Sequence, residues 1–150
     1  MEHKRLLDCS ASDFGGMDKT ALLYAIRASE GRVLVSETIA ITQPLLNNVT
    51  NAELAASQGA DILLINMFDS EAPLIQGMPA GTAPDQTLHE LQRLTGRIIG
   101  VNLEAVDPEF ASAHDDIWKM KPGRVATAEN ARKLVEMGAK ILVLTGNPNN

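Results

Sequence analysis

The chain has 150 residues, 13 Lys+Arg against 19 Asp+Glu for a formal charge of −6, and 45% hydrophobic residues. That is the composition of a globular domain able to bury a core, and it excludes disorder, collagen-like repeats and low complexity; the acid excess argues against a nucleic-acid partner. No apolar run approaches the roughly 20 residues of a membrane-crossing helix, the polar start Met1 to Arg5 lacks a signal-peptide core, and one cysteine, Cys9, excludes an internal disulfide, so a cytoplasmic protein with no membrane partner is expected.

The first 30 or so residues read as an N-terminal helical segment. Asp8, Ser10, Ser12 and Asp13 suit caps and turns, Cys9 suits an inert thiol, and a helix is expected from Asp18 to about Ser29 with Leu22, Leu23 and Ile26 on one side. In some barrels such a segment plugs the bottom of the sheet. Four short apolar runs follow, Arg32–Glu37, Asp61–Asn66, Arg97–Asn102 and Lys140–Thr145. They are continuous rather than alternating and rich in β-branched residues, the pattern of parallel strands buried on both faces. Each of the last three is preceded by a helix signal. Thr50 and Glu53 have capping-box spacing, with Gly59 as the stop; Thr87 and Glu90 repeat that spacing, with Gly96; and a third helix runs from Thr127 to Gly138. Asn51-Ala52 and Gly59-Ala60-Asp61-Ile62-Leu63 recur as Asn130-Ala131 and Gly138-Ala139-Lys140-Ile141-Leu142, which points to a repeated βα unit. The fold class expected is α/β: residues 1–150 as half of a (β/α)8 TIM-like barrel, with four parallel strands in the order 1-2-3-4. An open flavodoxin-like sheet would instead show the order 2-1-3-4. Four strands leave two open edges, which predicts a homo-oligomer or a missing C-terminal half.

The strand ends carry the segments Leu6–Phe14, Ser36-Glu37-Thr38-Ile39, Gln43–Asn51, Val101–Val106 and Leu144–Pro148. Together they resemble the N-terminal half of a bacterial family of TIM-barrel-like proteins that carries the labels phosphoenolpyruvate phosphonomutase-like and haloacid dehalogenase-like hydrolase. The resemblance spans essentially the whole chain and implies a barrel enzyme, with metal-assisted lyase or mutase chemistry or hydrolysis as the reactions. Asp8-Cys9-Ser10 lacks the second aspartate of an Asp-X-Asp nucleophile, and an aspartate-rich metal motif is absent.

Joints from helix to strand are short, whereas the loops Thr38–Val49, Met67–Gln86 and Leu103–Ala126 are long and lie at the strands' C-terminal ends, where α/β proteins bind ligands. Glu37 ends the first run and Glu104 lies one pleat beyond Asn102 at the end of the third, and they are the expected catalytic pair, shuttling protons or holding Mg²⁺ or another divalent cation. Asn66, Asn102, Thr145 and Asn147 end on the same face and would position substrate. Lys121 and Arg124 precede the Thr127 helix start and would neutralise a phosphate or carboxylate. His3, His89 and His114 form no zinc motif, and the glycines form neither a dinucleotide fingerprint nor a Walker loop, so no nucleotide cofactor is expected. The expected function is thus that of an enzyme, or its N-terminal half, acting on a small anionic metabolite. The alternative is a catalytically silent assembly module that pairs through open sheet edges.

Overall fold

The computed structural model describes residues 4–106 and 120–146. Two short helices, α1 (Ala11–Gly15) and α2 (Lys19–Ala28), lead into β1 (Val35–Ile39), followed by α3 (Asn51–Ser57), β2 (Ile62–Asn66), α4 (Thr87–Thr95), β3 (Ile98–Ala105), α5 (Ala128–Glu136) and β4 (Ile141–Gly146). The four strands form one sheet in the order β1-β2-β3-β4 with every pair parallel. This is half of a TIM-like barrel, and it excludes the order 2-1-3-4 of a doubly wound sheet.

Local signals set the helix ends. Thr50 and Glu53 form the expected capping box, Glu53 N–H donating to Thr50 Oγ1 at 3.0 Å and Thr50 N–H to Glu53 Oε2 at 2.9 Å. Asp18 and Thr127 cap α2 and α5, accepting from the N–H groups of Ala21 and Asn130. Gly59 and Gly138 end the α3 and α5 segments with φ of 102° and 114°, a left-handed conformation that a side chain resists. One expected cap does not form. The helix N-cap is Gln86, Glu90 turns forward to Arg93 at 2.6 Å, and Thr87 Oγ1 donates to the Pro84 carbonyl, because a 3-10 turn at Pro84–Gln86 already starts this helix.

Register separates the two faces of the sheet. Leu63, Ile65, Ile99, Val101 and Leu103 point to the side where α3, α4 and α5 lie, and with Phe68, Leu88, Leu91 and Leu134 they form the main core. Ile62 and Ile98 point the other way and pack at the bottom of the sheet against Leu6, Phe14, Leu22 and Ala25. The N-terminal segment therefore floors the concave face, as a plug does. Leu6 N–H is anchored to the buried Ser29 hydroxyl at 3.0 Å. β2 and β3 are buried on both faces as their apolar runs suggest, but Val35 on β1 and Leu144 on β4 are 53% and 69% exposed. These two strands are the sheet edges, so sequence runs alike in character end in different environments. The first run also sits later than expected, since residues 32–34 approach the sheet and pairing begins at Val35. Among the described residues no helix is long and apolar enough to cross a membrane.

Candidate functional site

Parallel register decides which strand-end side chains can meet. Glu37 pairs with Leu64, Leu64 with Gly100, and Gly100 with Ile141. Stepping two residues at a time along each strand from these partners leads to Asn66, Asn102, Glu104 and Thr145, so all of them share the concave face with Glu37. They occupy its C-terminal end, opposite the floor made by the N-terminal segment.

Four of these residues, one from each strand, join in a continuous row. Thr145 Oγ1 donates to Asn102 Oδ1, Asn102 Nδ2 to Asn66 Oδ1 at 3.4 Å, and Asn66 Nδ2 to Glu37 Oε1 at 2.6 Å. Asn102 is buried while Glu37 is exposed, so the row runs from one sheet edge to the other through a buried middle. Its middle is braced by backbone: Met67 N–H donates to Asn66 Oδ1 at 2.7 Å. Met67 has φ 56°, a left-handed conformation that costs a non-glycine residue about 1 kcal/mol. Here it turns the amide back onto the side chain before it.

The second cluster is the pair Glu104 and Arg124. Glu104 is 7% exposed, and its Oε1 accepts from Arg124 Nη2. A buried carboxylate is tolerated only when compensated, and the guanidinium does this. The loop that delivers Arg124 is clamped. Ala126 N–H donates to the Glu104 carbonyl at 2.7 Å, and Val125 forms an isolated parallel bridge to Glu104. Asn130, buried at the start of α5, donates through Nδ2 to the carbonyls of Pro122 at 2.7 Å and Val125 at 2.8 Å, gripping Arg124 from both sides. Its Oδ1 accepts from the Ser70 hydroxyl at 3.1 Å. Gly123 completes the clasp, because a Cβ there would collide with Asp69 Oδ1 and stand 2.6 and 2.8 Å from the amide nitrogens of Glu71 and Ser70.

The structure thus brings Glu37, Asn66, Asn102 and Thr145 into one row and Glu104 with Arg124 into an ion pair on the same face. Lys121 lies at the start of the clasped turn and is exposed. Asn147 lies outside the described residues, as do His3 and His114. His89 sits in α4 with Nε2 3.2 Å from the Glu136 carbonyl, away from the row. Cys9 Sγ lies 3.2 Å from the Arg5 carbonyl, and burial raises its thiol pKa, as suits an inert thiol.

Met67, Asp69, Ser70, Gly123 and Asn130 were not legible as site residues. One signal did point to Asn130, the recurrence of Asn51-Ala52 as Asn130-Ala131. Asn51 likewise braces the loop before its helix, accepting from Leu45 N–H at 3.0 Å and donating to the Gln43 carbonyl. The repeated asparagine is a loop brace at both positions.

No three His, Cys, Asp or Glu side chains gather among the described residues in a way that could hold a metal ion. Glu37 and Glu104 are both engaged, by Asn66 and Arg124, so a divalent cation at Glu104 has to compete with the guanidinium. A groove of about 440 Å³ between the α4 start and α5, lined by Ser70, Pro84, Lys133 and Met137, lies on the helical side of the sheet. Its cation Lys133 is already shared between Glu71 and Glu129, so it offers little free charge.

No curated protein and no solved structure matches the chain. One family model does, over residues 7–150. The half-barrel with its polar mouth therefore belongs to the family described as a domain of unknown function, DUF7916.

Proposed function

We propose that this chain is an enzyme, or the N-terminal half of one, that binds a small phosphorylated or carboxylated metabolite at the C-terminal end of its concave sheet face. The observation that carries the reading is the collection of Glu37, Asn66, Asn102, Glu104 and Thr145, drawn from all four strands, over an apolar floor. Lys121, exposed at the start of the clasped turn, supplies the positive charge for the anion, and Arg124, whose charge is balanced by Glu104, offers it guanidinium N–H groups. Glu37 and Glu104 are the proposed acid–base pair. Mg²⁺ or another divalent cation is the proposed cofactor, with ligand and water oxygens supplying most of its shell, because Arg124 already balances Glu104 and no third such side chain joins the two carboxylates among the described residues. The proposed reaction classes are a metal-assisted lyase or mutase step and hydrolysis, in the cytoplasm.

Glu37→Gln is the discriminating variant, because Glu37 is exposed while Glu104 is buried in an ion pair. The substitution should leave the melting temperature within about 2 °C, since a change at an exposed site typically costs at most ~0.5 kcal/mol. It should also change the binding of phosphorylated and carboxylated metabolites measured by calorimetry. Unchanged binding in this variant would remove Glu37 from the site.

A second reading rests on the sheet edges. Val35 and Ile39 on β1, Leu34 and Ile41 flanking it, and Leu144 on β4 are large apolar residues left exposed. They support an assembly module that pairs through its edges with another copy or with a complementary half-barrel. Light scattering after size exclusion tests this, and a strict monomer at high concentration would count against pairing between copies.

A further inference from the structure

The row of hydrogen bonds has a single allowed sense. Met67 N–H can only donate, and it faces Asn66 Oδ1; the Glu37 carboxylate accepts, and it faces Asn66 Nδ2. Turning the Asn66 amide over would set donor against donor at Met67 and oxygen against oxygen at Glu37. With Asn66 Oδ1 fixed, the Asn102 atom that meets it is Nδ2, so Asn102 Oδ1 faces Thr145. The Thr145 hydroxyl must therefore use its one proton inside the row.

This sense determines what the row offers a ligand. Thr145 presents lone pairs at the β4 end, and the Glu37 carboxylate presents lone pairs at the β1 end, so both ends accept. Each amide between them holds one N–H beyond the one it gives to the row. The pattern acceptor, donor, donor, acceptor matches a succession of hydroxyl groups, since a hydroxyl both gives and takes a proton. A bare phosphate or carboxylate suits Arg124 but would be repelled by Glu37. The row crosses three strand spacings, about 14 Å along the sheet at ~4.8 Å each, so one hydroxyl cannot meet both ends.

Building on the reading that this face binds an anion, we infer that its ligand is a hydroxylated anion: a polyol or sugar-type chain with at least two hydroxyls donating to Glu37 and Thr145, and its phosphate or carboxylate toward Arg124.

Matched probes test this on the full chain: sorbitol 6-phosphate against hexyl phosphate, and gluconate against hexanoate, each titrated by calorimetry and by NMR of the Asn66 and Asn102 side-chain amides. The hydroxylated member of at least one pair should bind tenfold or more tighter and shift both amide signals. Thr145→Val, which keeps the side-chain shape but removes the hydroxyl, should reduce that preference, the hydroxylated probe losing more affinity than its deoxygenated partner. Equal binding within both pairs, or an undiminished preference in Thr145→Val, would overturn the hydroxyl inference and leave the anion reading standing. Failure of all four probes to bind would overturn both. The stronger of the two pairs identifies whether the anion is phosphate or carboxylate.

Discussion

Gly123→Ala tests the clasp that holds Arg124 against Glu104. The methyl group would collide with the Asp69 carboxylate and lie 2.6 Å from Glu71 N and 2.8 Å from Ser70 N. None of these atoms is the free end of a flexible side chain. Asp69 is buried and accepts from Glu71 N–H at 2.9 Å, and Ser70 N–H donates to the Gly123 carbonyl at 3.2 Å. The turn must therefore move as a whole. Overpacking at a tight site costs about 1–3 kcal/mol, and loss of the Ser70 hydrogen bond adds about 1 kcal/mol. A total near 3 kcal/mol corresponds to a fall in melting temperature of about 6–12 °C at this chain length. Circular dichroism at neutral pH measures it, with Gly16→Ala as the control, because a Cβ at Gly16 meets nothing within 4 Å. Melting of Gly123→Ala within a degree of the parent would mean that the two loops are not in tight contact. The account of how Arg124 is positioned would then fail.

Glu104→Gln alone leaves the Arg124 guanidinium largely buried without its counter-charge and should cost about 3 kcal/mol, while the double variant with Arg124→Gln should cost less than the sum of the two singles. Urea unfolding of the four proteins gives the coupling, and strict additivity would deny the pair. Thr50→Ala removes a buried cap and should lower stability by about 1 kcal/mol in thermal melts, whereas an unchanged melt would mean the box contributes nothing. Asp13 accepts from Ser10 N–H, with Lys4 and the Ser10 hydroxyl adding to the effect, and its pKa is lowered to about 2 from 3.8. Because the folded value is the depressed one, the contribution is full above pH 4 and is lost as pH falls toward 2. The parent should therefore lose more stability than Asp13→Asn over that interval, and parallel curves of melting temperature against pH would refute this.

The helix starts and stops were legible because they depend on residues within one turn. Thr50, Asp18 and Thr127 each satisfy an N–H three residues away, whatever the rest of the chain does. Thr87 failed as a cap for an equally local reason, the proline turn just before it. The clasp lay beyond such reading. Ser70 meets Asn130 across 60 positions, and Arg124 meets Glu104 across 20. Nothing in the composition of either segment selects its partner.

Four apolar runs with short returning joints were enough to expect a parallel sheet, because strands buried on both faces need continuous apolar sequence, but the order β1-β2-β3-β4 that makes it a half-barrel rather than a doubly wound sheet was decided by the tertiary structure. The ends of the same runs placed Glu37, Asn66, Asn102 and Thr145, with Glu104 one pleat further, at the C-terminal end of the sheet. Only the tertiary structure decided that four of them hydrogen-bond in one direction while the fifth is neutralised by Arg124. Register between strands and the fold of a distant loop set those contacts, and both are products of packing between elements rather than of any one segment.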